Sequence, residues 1–264
     1  GRSEAQCRTL ESTIIKARVI TGNLVMPGFT APKLLWIKEN EPDIFKQVDK
    51  VLLPKDYLRY KLTGEFASDM SDSAGTSWLN TGERSWSKSM LMACGLSEKH
   101  MPTLYEGNEI TGYLTAKTAK RWGMKAVPVV AGAGDNAAGA VGCGIVDAGQ
   151  AMLSLGTSGV YFAVTNDYRS DPESAVHSFC HAVGHRWHLM SVMLSAASCL
   201  DWFAKNSGYS SVAELFDDVV NNTRPDDPNT PFFLPYLTGE RTPHNNPNAK
   251  AGFFGLTAST TRAH

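Results

Sequence analysis

Apolar and polar positions change period several times along this chain. TAPKLLWIKENE (30–41) sets Leu34, Leu35 and Ile37 behind a Thr start and a Pro near the first turn, which predicts an amphipathic helix. DIFKQVD (43–49) predicts a second short helix, KVLLP (50–54) a strand, and KDYLRYKLTG (55–64) a helix capped by Gly64. WSKSMLMACG (86–95) and TAKTAKRWG (115–123) predict two more helices, the latter stopping at Gly123. The texture then changes, which predicts a domain boundary near residue 124. VPVVA (127–131) is apolar and β-branched, a buried strand by pattern, and GAGDNAAGAVGCG (132–144) hands it over to a small-residue helix at Asp135. QAMLSLGTSGVYFAVT (150–165) is two apolar runs split by Gly-Thr-Ser-Gly, the composition of a hairpin. SAASCLDWFAKNSG (195–208) and SVAELFDDVVNN (211–222) predict amphipathic helices, and the Pro-rich, aromatic PFFLPYLTGERTPHNNP (231–247) an ordered loop.

Composition narrows the class without naming a chemistry. The 264 residues suffice for two domains, and 42% hydrophobic residues fit a packed core. A formal charge of −1 offers no reason to expect a nucleic acid or an anionic membrane as partner. The longest nearly apolar run, LMSVMLSAASCL (189–200), falls short of the roughly 20 apolar residues a bilayer needs. The first residues have no apolar segment of a secretory signal, and the chain opens on Gly, so this need not be the native start. Five cysteines without C-x-x-C spacing read as free thiols in a reducing, cytoplasmic setting.

Four stretches carry candidate chemistry, each with a plain structural alternative. Asp135 among glycines and alanines is either a helix N-cap or a general base, with Asn136 beside it able to bond a hydroxylated ligand. SLGTSGV (154–160) is a hairpin turn or a nest of N–H groups for a phosphate, whereas the P-loop and G-x-G-x-x-G patterns are absent. HSFCHAVGHRWH (177–188) gathers four histidines and a cysteine, but its alternation scatters them over both strand faces, which favours core and surface histidines over a metal site. GERTPHNNP (239–247) is a solvated loop or one that shapes a cleft, and the small residues of SAASCLDWF (195–203) allow close helix packing or room for a flat base.

Taken together, these stretches resemble the FGGY carbohydrate kinases. GFTAPKLLWIKEN (28–40) matches the family's first signature through Lys33 and Trp36, both read as structural. GAGDNAAGAVG is similar to its catalytic loop, SLGTSGVYF to its second phosphate motif, and AGFFGLTASTTRAH (251–264) to the opening of its second signature. FLPYLTGERTPHNNP (233–247) is similar to a segment of the members that act on D-xylulose. The resemblance implies an α/β, two-domain actin-like and ribonuclease H-like ATPase fold. Residues 1–124 would be the later part of the sugar-binding domain, and 125–264 the first part of the nucleotide-binding domain. It implies ATP-dependent phosphorylation of D-xylulose to D-xylulose 5-phosphate, with Mg²⁺ and a cytoplasmic location. Asp135 would be the general base, Asn136 a sugar contact, and Gly156, Thr157, Ser158, Ala197 and Asp201 nucleotide contacts, with no protein metal site. The family's Asp-x-Gly-Thr phosphate loop, its His-Gly sugar segment and its Gly-rich adenosine motif are not in this sequence. The expectation is therefore a central segment that is catalytically poor by itself and exposes apolar surface where further strands would pack. A homodimer is left open. The competing expectations are a kinase of ribulose, gluconate or glycerol, a non-catalytic sugar-binding module and, third, a zinc hydrolase built on the histidines.

Overall fold

Pro32, which has no N–H to lose, sits in the first turn of the helix that the 30–41 pattern predicts, where the backbone donors have no intrahelical partner. A computed structural model describes residues 1–224, 226–228 and 230–264 of the chain. Gly1–Met152 and Phe162–Met190 form one compact unit, and Leu153–Tyr161 and Ser191–His264 a second.

The first unit opens with α1 (Glu4–Thr13), α2 (Ala17–Thr21) and α3 (Thr30–Asn40). Their apolar faces bury Cys7, Leu10, Ala17, Ala31, Leu34 and Leu35 in one core with Trp78, Met90, Leu91 and Cys94. The short helix near residue 43 is a single turn, α4 (Pro42–Phe45). The strand expected at 50–54 does not form: Pro54 instead opens α5 (Pro54–Thr63), which ends on Gly64 in the left-handed region, φ 84°, as its C-cap role requires. There follow β1 (Ala67–Asp69), α6 (Met70–Ala74), β2 (Leu79–Asn80), β3 (Ser85–Trp86) and α7 (Lys88–Ala93). Next come β4 (Thr103–Tyr105), β5 (Ile110–Tyr113), α8 (Ala116–Trp122), β6 (Pro128–Val130) and α9 (Asp135–Gly142). β1 and β4 pair in parallel, Ala67 opposite Thr103.

Gly123 closes α8 as expected, yet the chain on either side of it lies in the same compact unit. β6 is where the sequence predicts a strand, but it is not buried. It pairs antiparallel with β5 in a two-stranded ribbon, and Val130 is 47% exposed. A continuous apolar run reads as buried on both faces, whereas this ribbon covers little of either.

β7 (Ala151–Leu155) and β8 (Gly159–Thr165) form the expected hairpin, and β9 (His177–Cys180) and β10 (Trp187–Met193) complete a sheet of order β7-β8-β10-β9. In the second unit, α10 (Ser198–Asn206) and α11 (Val212–Asn222) pack through Ala204, Tyr209 and Leu215. The loop expected at 231–247 contains a strand, β11 (Phe232–Leu234), which pairs antiparallel with β12 (Gly252–Phe254). Aromatic stacking supplies the reason: Phe233 stacks on Phe253 at 4.6 Å between ring centres and on Trp202 of α10 at 6.0 Å.

Candidate active site

Asp135 is the first helical residue of α9, and its cap is Gly134, whose backbone is extended. The N-cap alternative for Asp135 is therefore not what the structure contains. Its carboxylate Oδ1 accepts from the backbone N–H of Asn136 (2.8 Å) and from the Asn136 side-chain amide (3.1 Å). The side chain is exposed, so its second oxygen stays open to a ligand. A carboxylate oxygen left open at the head of a helix has the geometry to accept a proton from a bound hydroxyl, the task of a general base. Asn136, expected as a sugar contact, also orients the Asp135 carboxylate.

The loop before α9 is tied at successive positions. Ala131 donates from its N–H to the Glu109 carbonyl (2.9 Å), and its own carbonyl accepts from Arg59 Nη1. Gly132, at φ 83°, donates to the Gly107 carbonyl (2.9 Å). Gly134 donates to the hydroxyl of Ser71 (3.0 Å). A Cβ on Gly107 would lie 2.4 Å from the Ala182 carbonyl and 2.6 Å from that of Gly132, so only glycine permits this approach.

Behind these ties lies a charged cluster that the sequence reading passed over. Asp56 and Asp69 are fully buried, and Arg59 is 5% exposed. Lys55 Nζ contacts Asp69 Oδ1 (2.5 Å), Asp56 Oδ1 (2.7 Å) and Asp72 Oδ2 (3.5 Å), while Arg59 Nη2 contacts Asp56 Oδ1 (2.6 Å). Burial alone would pull the Lys55 ammonium down, but the Asp69 and Asp56 carboxylates outweigh it and hold its pKa above the usual lysine value. Asp72 has the opposite balance: burial, more than the attraction of Lys55, pushes its carboxyl up, and Asp69 and Asp56 push the same way. Asp69 also caps α6, its Oδ2 accepting from Ser71 N (2.8 Å), Asp72 N (3.0 Å) and Ser71 Oγ (2.5 Å). The available signals were Lys55, Asp56 and Arg59 on one helical face and an Asp-Met-Ser-Asp cap pattern at 69–72.

Two residues of the histidine-rich stretch, His181 and His188, serve the core beneath α9, whereas His177 stacks on Phe179 and His185 is exposed. His188 is buried and stacks on Phe162 at 4.1 Å, in the cluster that holds Ala140 of α9. Burial, with smaller repulsion from His181 and His177, brings its pKa down to about 3, so it is neutral at ordinary pH. His181 donates from Nε2 to the Ile145 carbonyl (3.1 Å) and accepts at Nδ1 from Val183 N–H (3.0 Å), which fixes a neutral tautomer. Among the described residues, no group of three or more His, Cys, Asp or Glu is placed to hold a metal ion.

In the second unit, the turn between β7 and β8 docks on the start of α10 through backbone bonds. The Gly156 carbonyl accepts from Ala197 N–H (2.9 Å), the Thr157 carbonyl from Ala196 N–H (2.9 Å) and Ser198 Oγ (2.8 Å), and the Ser158 carbonyl from Gly156 N–H (2.9 Å). This brings Gly156, Thr157, Ser158 and Ala197 together, with Asp201 exposed one turn along α10. All three turn carbonyls are engaged, and the exposed hydroxyls of Thr157 and Ser158 remain as donors. That donor set fits a phosphate, which carbonyl oxygens would repel.

The 239–247 loop braces the same region. Buried Glu240 accepts from Leu194 N–H (3.0 Å) and Arg241 N–H (2.7 Å), and Thr242 Oγ1 accepts from Val192 N–H (3.0 Å). Gly239, at φ 82°, lies so close to Pro247 that a Cβ would approach within 2.7 Å. No helix among the described residues is long and apolar enough to cross a membrane, and all five cysteines are free thiols.

Residues 1–142 match the model of the N-terminal domain of the FGGY family of carbohydrate kinases, and residues 151–264 that of its C-terminal domain. The chain is 66% identical over 258 residues to the xylulose kinase of Escherichia coli K12, covering 97% of this chain and 53% of that one. It is 36% identical over 248 residues to the xylulose kinase of Bacillus subtilis, covering 93% of this chain and 49% of that one. Among solved structures, one described as a xyloylose kinase from Brucella ovis superposes with a TM-score of 0.93 at 51% identity, over 99% of this chain and 54% of that one. The chain thus spans about half the length of the curated relatives it matches. Its two-unit α/β architecture is that of the actin-like sugar kinases, and the chain belongs to the FGGY family of carbohydrate kinases.

Proposed function

We propose that this chain carries parts of both domains of a cytoplasmic kinase that phosphorylates D-xylulose to D-xylulose 5-phosphate at the expense of ATP. Support for the substrate comes from the xylulose kinases to which it is similar, the first at 66% identity. The single observation that carries the mechanism is the exposed carboxylate of Asp135 at the head of α9, oriented by Asn136 and open at its second oxygen.

Mg-ATP, when bound, supplies the γ-phosphoryl group and the neutralisation of its charge. Thr157 and Ser158 would hold phosphate oxygens through their hydroxyls, and Gly156 adds no Cβ beside them. Ala197 and Asp201 of α10 would line the rest of the nucleotide site. Asp135 accepts the proton of the attacking sugar hydroxyl at its open oxygen, and Asn136 holds the carboxylate plane while that proton moves. Since phosphoryl transfer depends mainly on positioning and charge, fixing the carboxylate matters more than raising its basicity.

The test is Asp135→Asn in the native gene product that carries this sequence, assayed with Mg-ATP and D-xylulose. The expected kcat falls by about 10²–10⁴-fold, the usual contribution of a general base. Full activity in that variant overturns the assignment. Faster turnover of ribulose, gluconate or glycerol than of D-xylulose by the unmodified protein would keep the kinase and overturn the substrate.

A further inference from the structure

The helix that carries Asp135 has no side-chain cap of its own, because its cap residue is Gly134. Packing of Ala140 on Phe162 seats the body of α9, and the tie nearest its head is the bond that Gly134 makes to a side-chain partner. That partner is the Ser71 hydroxyl, which accepts from Gly134 N–H (3.0 Å) and donates to Asp69 Oδ2 (2.5 Å). A hydroxyl proton rotates to suit its surroundings, and here the buried Asp69 carboxylate takes that proton, leaving a lone pair for the Gly134 amide. Asp69 in turn cannot swing, since its other oxygen meets Lys55 (2.5 Å) and its Oδ2 accepts the Ser71 and Asp72 amides (2.8 and 3.0 Å).

We propose that Ser71 is a positioning residue for Asp135, the end of a Lys55–Asp69–Ser71 relay that fixes the first turn of α9 and so the direction of the Asp135 carboxylate. The inference rests on the reading of Asp135 as the general base. Space around Gly134 agrees with it: a Cβ there would stand 3.4 Å from Asp72 Oδ1, so the loop is seated directly on the segment that contains Ser71. Ser71 itself is 4% exposed and reaches the sugar site only through Gly134. It acts on the reaction through another residue and leaves binding of either substrate largely unchanged.

The experiment measures kcat and KM in the native gene product for Ser71→Ala, Ser71→Thr and Asp135→Asn, with hydrogen exchange across residues 131–142. Ser71→Ala is expected to lower kcat by about 10–100-fold, as a misplacement of about 1 Å can do. KM for both substrates should stay within about two-fold, because ground-state binding is not what is lost. Exchange at 131–142 should speed up, and Ser71→Thr, which keeps a hydroxyl, should restore kcat. Should Ser71→Ala not fold, Ser71→Cys keeps the volume with a weak acceptor and must show the same loss. An unchanged kcat, or a loss that Ser71→Thr does not relieve, overturns the positioning role. If Asp135→Asn keeps full activity, the general-base reading falls and this inference with it. If Asp135→Asn is inactive while Ser71→Ala is unimpaired, the inference alone falls.

Discussion

The two candidate sites are held in place by different chemistry. The loop before α9 is tied by main-chain bonds to Glu109 and Gly107 and, beyond these, by side chains, Arg59 on the Ala131 carbonyl and Ser71 on the Gly134 amide, backed by buried charges. The turn after β7 is tied by main chain, its carbonyls taken mostly by amides at the start of α10. A general base, the role proposed for Asp135, needs one side chain aimed in one direction, and side chains supply part of the fixing of its loop. A phosphate, the ligand proposed for the turn, needs several donors at once, and all three carbonyls of the turn are engaged. Buried ionic clusters carry a desolvation cost that backbone docking avoids, and the first unit should be the more sensitive to substitution.

Removing a partner from the charged cluster should have the largest effect. Arg59→Met leaves Asp56 with Lys55 and the Ser68 hydroxyl as partners and removes the bond to the Ala131 carbonyl, and the first unit should lose about 3–5 kcal/mol, as broken buried pairs do. Denaturant unfolding would read this, and a change under about 1 kcal/mol would mean the cluster is only loosely coupled to the fold. Gly107→Ala should come close behind, because the added Cβ meets two backbone carbonyls that must both shift; its loss should appear as faster proteolysis near residues 131–134.

Acid gives a graded effect on the first unit. The folded pKa of His188 is depressed to about 3, so its contribution to stability is fully present above the unfolded value near 6.5 and drains away as pH falls from there to about 3. Stability should fall steadily as pH drops through that window. His188→Gln, which carries no titrating ring, should flatten the dependence of Tm on pH; an unchanged slope would assign it to other groups. His181, lowered by its burial, acts in the same direction.

In the second unit the effects should be smaller. Ser198→Ala removes one of two bonds to the Thr157 carbonyl while Ala196 N–H keeps the other, so about 1 kcal/mol is expected. The smallest structural effect should come from Asp135→Ala, about 0.3–1 kcal/mol for an exposed acid at a helix start, beside the large kinetic loss proposed above. A stability loss of several kcal/mol at Asp135 would instead make it a structural residue.

Much of the second site was legible because its chemistry lies within short segments. Gly-Thr-Ser-Gly between apolar runs signalled the turn, and small residues before Asp201 signalled the helix it docks on. Asp135 stood out for the same reason, an acid alone among glycines and alanines. The Lys55, Asp56, Arg59 and Asp69 cluster did not, because charged residues ordinarily face water, whether on a helix like the first three or at a strand end like Asp69, and local pattern cannot show that these do not. The strand expected at 50–54 failed where Pro54 started a helix instead, and the loop at 231–247 yielded a strand because Phe233 found Phe253 some twenty residues on.

The sequence by itself determined the helix ends marked by Gly64 and Gly123, the Gly-Thr-Ser-Gly turn between two apolar runs, and which family the chain resembles. Those properties depend on a residue's own backbone preference and its immediate neighbours. Only the tertiary structure decided that Ser71 meets the Gly134 amide at the head of α9, that Asp56, Arg59 and Asp69 are buried behind it with Lys55 against them, and that His181 and His188 pack on Phe162. Each depends on groups tens of residues apart meeting in a place with little water, where an unpaired charge or amide is too costly to leave alone.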